Sequence, residues 1–273
     1  MFITFNKNHI IEFLKFLSIF LLLSLILIYI INVITLNSSK TTNNINNKNN
    51  TTTNLTANNT STLEVSSLPI SNKTIILDAG HGLPDGGAIS STNSNIYESS
   101  INLNIVLKLQ KLLELSNINV ILTRSDENGI YEETAKSIRD KKISDMKNRV
   151  QISKDYPADI FISIHMNKLD DSSVKGFQVF YSSKTSSSKS FAKYIQENLN
   201  NSINEFKNTK KIKEINDIYL NNYLEIPFVL VECGFLSNEY ETNLLLQDYY
   251  QDKIAWGIYT GIIDSLNPSI IID

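Results

Sequence analysis

Three short apolar segments, each ending in a side chain that can bind a metal, constrain the fold of this chain most strongly. They are residues 74–81, 160–165 and 228–232, and they have the length and the β-branched content of buried strands. Apolar residues at helical spacing occupy stretches between them, such as 99–115 and 191–199. Strands that alternate with helices predict an α/β fold: a single three-layer domain with a mostly parallel, twisted sheet flanked by helices.

The polar residues at the ends of these segments form a candidate site. His81, His165 and Glu232 end the three predicted strands, and Glu98 stands just before the first predicted helix. Ligands bind outside the carboxyl ends of strands in such sheets, so we expect these side chains to meet in one place. Three nitrogen or oxygen ligands and one further carboxylate are typical of a catalytic zinc centre with an open position. The pattern therefore predicts a metal-dependent hydrolase.

Each of these residues also has a structural alternative. A histidine at a strand end can be a hydrogen-bonded structural residue, Glu98 can be a charge at a helix N-terminus, and Glu232 can be a buried carboxylate with a structural partner. Asp78 either orients a ligand histidine or shapes the turn after the first strand. Arg149 either contacts an acidic peptide substrate or pairs with a carboxylate at the edge of the core.

The glycines that follow the first strand, and the single cysteine, have simpler interpretations. Gly80, Gly82, Gly86 and Gly87 predict a tight backbone path near the metal, since the spacing of a phosphate-binding loop is absent. Cys233 excludes an internal disulfide and a cysteine-only metal site. It fits a small buried residue better than a nucleophile.

The composition limits the classes of molecule that we expect this chain to bind. A formal net charge of -3 and a pI near 5.7 show no basic excess, so nucleic acid is not an expected partner.

The first 72 residues predict a membrane anchor and a tether. Residues 16–36 carry no charge and are long enough to span a bilayer, and Lys7 and Lys15 in the short segment 1–15 favour a cytoplasmic N-terminus. A cleaved signal peptide is the alternative. Residues 37–72 are rich in Asn, Thr and Ser, which predicts a disordered linker. The remainder, 73–273, is then an extracytoplasmic catalytic domain held at the membrane by the N-terminal helix, or secreted after cleavage.

The folded part of the chain resembles the zinc-dependent N-acetylmuramoyl-L-alanine amidases of bacterial cell walls, amidase type 3. The resemblance covers residues 73–266 in the order of that family, and within the family the layout is most similar to the germination-specific amidases of endospore formers. The segments that carry it, besides Glu98 at the start of a helix, are residues 77–82 (LDAGHG), 85–88 (DGGA), 122–126 (LTRSD), 149–150 (RV), 161–167 (FISIHMN) and 230–238 (LVECGFLSN).

The resemblance implies roles for the site residues. Zinc would be held by His81, Glu98 and His165, and Glu232 would be the catalytic carboxylate. The implied substrate is the amide between the lactyl group of N-acetylmuramic acid and L-alanine in peptidoglycan, with a role in maturation of the spore cortex, where muramic lactam forms, and in germination. Residues 168–175 leave little room for the helical insert that blocks the zinc in some division amidases. The sequence leaves open whether a regulatory protein partner binds this chain.

Two alternatives of other classes remain at this point. One is a wall-binding or scaffold protein that keeps the fold without turnover. The other is a zinc hydrolase of a different amide, such as a deacetylase.

Overall fold

The apolar segments form one six-stranded sheet within residues 72–267, the part of the chain that the computed structural model describes. The order across the sheet is β2-β1-β3-β6-β4-β5. The strands are β1 (Thr74–Ala79), β2 (Asn119–Leu122), β3 (Ile160–Asn167), β4 (Gln178–Tyr181), β5 (Lys213–Glu214) and β6 (Phe228–Phe235). Strands β2, β1, β3 and β6 run parallel, whereas β4 is antiparallel to β6 and parallel to β5. The predicted α/β fold with a mostly parallel sheet is confirmed.

Helices cover both faces of this sheet. They are α1 (Glu98–Leu115), α2 (Ile138–Asp155), α3 (Ser186–Ser202), α4 (Tyr219–Tyr223), α5 (Glu239–Leu245) and α6 (Asp248–Leu266). Side chains alternate along a strand, so Ile75 and Leu77 of β1 pack into the core that contains α1, α3 and α6. Ile76 points the other way, into a smaller core with Val150 of α2 and Leu220 of α4.

Two strands are longer than the sequence pattern predicts. β3 continues past His165 to Asn167, and β6 continues past Glu232 to Phe235. The two strands pair over this extension, where His165 lies opposite Glu232 and, after an irregularity in the register, Asn167 lies opposite Phe235. His165 and Glu232 therefore sit inside hydrogen-bonded strands, which hold their backbone more firmly than a loop would.

The predicted membrane segment 16–36 lies outside the described residues, as do the N-terminal segment 1–15 and the linker up to residue 71. Among the helices of residues 72–267, the structure shows none that combines the length and the hydropathy needed to cross a bilayer.

Candidate metal centre

His81 is held by contacts on both its backbone and its ring. It follows β1 with a φ of 62°, a conformation that non-glycine residues seldom adopt. Arg149 of α2 stabilises this turn, because its Nη2 donates to the carbonyl oxygen of His81 at 2.6 Å and its Nη1 to that of Ala79 at 3.0 Å. The ring Nδ1 donates to Asp85 Oδ2 at 3.1 Å, and Nε2 lies 3.4 Å from Glu98 Oε2. The bond to the Asp85 carboxylate places the proton on Nδ1 and leaves the Nε2 lone pair facing Glu98.

Glu98 is the first residue of α1, and only 3% of its surface is exposed. Its Oε2 accepts from the backbone N–H of Ala88 at 2.7 Å, and its Oε1 accepts from the backbone N–H of Met166 at 3.0 Å and from His165 Nδ1 at 2.8 Å. Burial alone would raise the pKa of Glu98, but the hydrogen bond from His165 and the positive charge that His165 and His81 carry when protonated lower it to about 2. The carboxylate is therefore ionised, as a metal ligand must be.

Two glycines make room for the ligands. A Cβ on Gly80 would lie 2.3 Å from the ring of His165, and a Cβ on Gly87 would lie 2.5 Å from Glu98 Oε2. Gly87 also has a φ of +71°, which a residue with a side chain adopts only at a cost. The predicted tight backbone path is confirmed at these two positions.

The three residues fit zinc. His81, Glu98 and His165 each offer one ligand atom, and these atoms lie within 4.8 Å of one another. Tetrahedral zinc with bonds of about 2.0–2.1 Å sets its ligand atoms roughly 3.3 Å apart, close to the observed separation of His81 and Glu98. Two neutral imidazoles and one carboxylate are a donor set that suits zinc and leave a fourth position open.

Glu232 stands next to this trio on β6. It lines a cavity of about 420 Å³ together with His81 and His165. Its Oε2 is buried and has no hydrogen-bond partner among the described residues, which is rare for a carboxylate. Burial raises the pKa of Glu232 to about 7, opposed by the positive charge of His165 and reinforced by the negative charge of Glu98. The arrangement provides an unpartnered carboxylate that faces the same space as the candidate metal ligands.

Asp78 and Arg149 form a buried ion pair, and their side chains are each 1% exposed. Asp78 also accepts from the hydroxyls of Thr123 at 2.7 Å and Ser163 at 2.5 Å, and no hydrogen bond joins it to a histidine in the part of the chain that is described. Arg149 donates Nε to Asp145 Oδ2 at 2.6 Å. The geometry thus favours the structural alternative for both residues: Asp78 fixes Arg149, and Arg149 holds the turn that carries His81. The guanidinium has no donor left for a substrate.

Sequence reasoning missed two residues that contact the ligands directly. Asn102 is fully buried on α1 and donates its Nδ2 to Glu98 Oε1 at 3.3 Å and to the carbonyl oxygen of Gly80 at 3.1 Å. It follows Glu98 by one helical turn, a spacing that could have revealed it. Asp85, whose carboxylate accepts from the His81 ring, belongs to the glycine-rich loop, and the sequence assigns it no role beyond its place in the segment 85–88.

Comparison with known proteins places the chain in a family. Residues 75–264 match the Amidase_3 family, described as N-acetylmuramoyl-L-alanine amidase. The germination-specific N-acetylmuramoyl-L-alanine amidase of Bacillus subtilis (strain 168) is 37% identical over 197 residues, covering 72% of this chain and 81% of the relative.

Solved structures agree with this assignment. The CwlD amidase of Clostridioides difficile, in complex with the GerS lipoprotein, matches with a TM-score of 0.69 and 45% identity over 72% of this chain and 100% of that one. The catalytic domain of CwlV, an N-acetylmuramoyl-L-alanine amidase from Bacillus (Paenibacillus) polymyxa var. colistinus, matches with a TM-score of 0.60 and 29% identity over 71% of this chain and 98% of that one. The family match, the fold and the clustered histidines and glutamates lead to the same conclusion: this chain belongs to the N-acetylmuramoyl-L-alanine amidase family.

Proposed function

We propose that His81, Glu98 and His165 hold a catalytic zinc ion, and that Glu232 transfers the proton as this amidase hydrolyses the bond between the lactyl group of N-acetylmuramic acid and L-alanine. The observation that carries the proposal is the buried Oε2 of Glu232, which has no hydrogen-bond partner in the described residues and shares a cavity with the two histidines. A buried carboxylate without a partner is costly, and a role in catalysis accounts for it.

The residues of the chain divide the chemistry between them. Zinc, when bound, supplies a Lewis acid that polarises a carbonyl group and makes water more acidic. Glu232 accepts the proton of the attacking water and delivers it to the nitrogen of the leaving L-alanine. Asp85 keeps the His81 ring in the tautomer that presents Nε2, and Asn102 orients the Glu98 carboxylate. The enzyme forms no covalent bond to the substrate in this scheme.

The likeness to a germination-specific amidase supports peptidoglycan of the spore cortex as the substrate, with roles in cortex maturation and germination. The CwlD amidase was determined with a lipoprotein bound, which supports a protein partner for this chain as well. For location, we propose an extracytoplasmic domain, residues 73–273, tethered by 37–72 to a signal anchor at 16–36; the low charge and high apolar content of 16–36 support this. Release of the intact protein from membranes by high salt would contradict the anchor. A mature protein whose N-terminus lies near residue 37 would contradict it as well.

Digestion of cortex peptidoglycan with the purified full-length protein tests the reaction. The proposal expects intact stem peptides with a free amino group on L-alanine in the mass spectrum, loss of this product with a chelator, and its return with added zinc. Release of acetate would instead indicate a deacetylase. Binding to the wall without any product would indicate a scaffold protein.

A further inference from the structure

The cavity beside the candidate metal centre is lined by three lysine or arginine side chains, and two of them are paired with carboxylates. Arg149 is buried against Asp78 and Asp145. Lys142 makes an ion pair with Asp85, with 2.9 Å between its Nζ and the carboxylate. Neither cation is left to attract a negatively charged substrate.

Lys141 is different. Its Nζ lies over the ring of Tyr131, 4.5 Å from the ring centroid, and Tyr131 lines the same cavity. Within residues 72–267, no carboxylate lies within ion-pairing distance of this ammonium group. The aromatic ring restricts the lysine without cancelling its charge, so less conformational entropy is lost when an anion binds.

The rest of the cavity indicates which anion this could be. His81, His165 and Glu232 stand at the reacting end, and Ile218, Leu230 and Met146 provide apolar walls. Among the lysine and arginine side chains on the cavity walls, Lys141 is the one without a carboxylate partner within residues 72–267. A peptide that runs from the scissile amide along the cavity advances by about 3.8 Å per residue, so its second residue lies within a few ångströms of the reaction centre.

We infer that Lys141 binds a free carboxylate on the residue that follows L-alanine in the stem peptide, and that the enzyme thereby selects acidic over amidated stems. The inference rests on the proposed amidase reaction and adds a specificity to the same site. In peptidoglycan this second residue is D-glutamate, which is linked through its side chain and keeps its α-carboxylate; some cell walls convert that group to the neutral amide of D-isoglutamine. An ammonium group facing this position forms an ion pair with the acid, whereas with the amide it donates only to a neutral carbonyl oxygen.

Two substrates that differ in this one group test the inference. Uncross-linked glycan strands carrying L-alanyl-D-glutamyl stems are compared with strands carrying L-alanyl-D-isoglutaminyl stems, and kcat/KM is measured from stem release for the zinc-loaded full-length protein. The wild type is expected to prefer the acid about tenfold, the order of one charge-assisted hydrogen bond at a partly exposed site. Because the contact is partly exposed, the preference should shrink at high salt.

Lys141→Gln should lose this preference by slowing cleavage of the acidic strands about tenfold while cleavage of the amidated strands stays unchanged. Lys147→Gln is the matched control, because Lys147 is an exposed lysine of the same helix that does not line the cavity. Thermal unfolding of both variants confirms that they fold. Three outcomes overturn the inference. The wild type could cleave the acidic and the amidated strands equally well, Lys141→Gln could lose the same activity on both strands, or Lys141→Gln could keep the preference for the acidic strands. Failure of the proposed function differs from all three, because the wild type would then release stems from neither strand.

Discussion

Replacement of Arg149 by methionine should destabilise the protein rather than weaken substrate binding. The substitution removes the guanidinium that pairs with Asp78 and Asp145, and it leaves the carbonyl oxygens of Ala79 and His81 without this donor. Burial would raise the pKa of Asp78, but Arg149 and the hydroxyls of Ser163 and Thr123 outweigh it and keep the pKa below its usual value. Breaking a buried ion pair on one side costs about 3–5 kcal/mol, a large fraction of the stability of a typical domain.

Urea denaturation of the metal-free protein measures this cost, with Arg139→Met as the matched control. Arg139 lies on the same helix but is exposed, so its replacement should change the free energy of unfolding by less than about 0.5 kcal/mol. Adding Asp78→Asn to Arg149→Met removes the unpaired charge and should recover part of the loss. If Arg149→Met costs less than about 1 kcal/mol and raises KM instead, Arg149 contacts the substrate and the structural interpretation is wrong.

Two further predictions concern residues that the sequence pattern did not single out. Asn102→Leu should weaken zinc binding about tenfold in a chelator competition, because Glu98 loses an orienting donor. Asn104→Leu, at an exposed position of the same helix, should leave the zinc affinity unchanged. Equal zinc affinities of the two variants would show that Asn102 does not orient Glu98. Burial raises the pKa of Glu241 to about 7 from an ordinary 4.5, although the backbone N–H groups of Phe235 and Gly176 donate to it. Native Glu241 thus holds its proton more tightly than the unfolded chain does, so the free energy of unfolding should fall by up to about 3 kcal/mol as the pH rises from 4.5 to 7. Glu241→Gln should remove this part of the slope in denaturation curves of the metal-free protein, and an unchanged slope would contradict the assignment.

The sheet and its reacting end could be predicted because the information is local. A buried parallel strand is an uninterrupted apolar run, and His81, His165 and Glu232 each follow such a run directly. The rule that ligands bind at the carboxyl ends of parallel strands then brings these side chains together without knowledge of the loops.

The part of the site that rests on α2 could not be predicted in this way. This helix is polar along most of its length, and the residues it buries include Asp145 and Arg149 rather than an apolar stripe. Hydrophobic periodicity therefore gives little signal for it. The partners of Arg149 are far away in sequence, since it contacts Asp78 and His81, and only the fold brings them into reach.

Loop contacts were missed for a related reason. Asp85 reaches His81 because the backbone of the glycine-rich loop turns back on itself, with Gly82 and Asp85 joined by two backbone hydrogen bonds of 2.9 Å. The identity of the residue gives no indication of that path. Lys141 is likewise one of several lysines in a polar stretch, and its place on the cavity wall depends on the packing of α2 against the sheet.

Measurement of zinc content and turnover together in Glu232→Gln separates proton transfer from metal binding. We expect one zinc per chain, as in the wild type, and a loss of stem-peptide release of at least about a hundredfold, because the proton carrier is gone while the three ligands remain. His165→Ala, measured beside it, should lose the metal itself. Near-normal turnover by zinc-loaded Glu232→Gln would show that Glu232 does not carry the proton, and full zinc retention by His165→Ala would show that His165 is not a ligand.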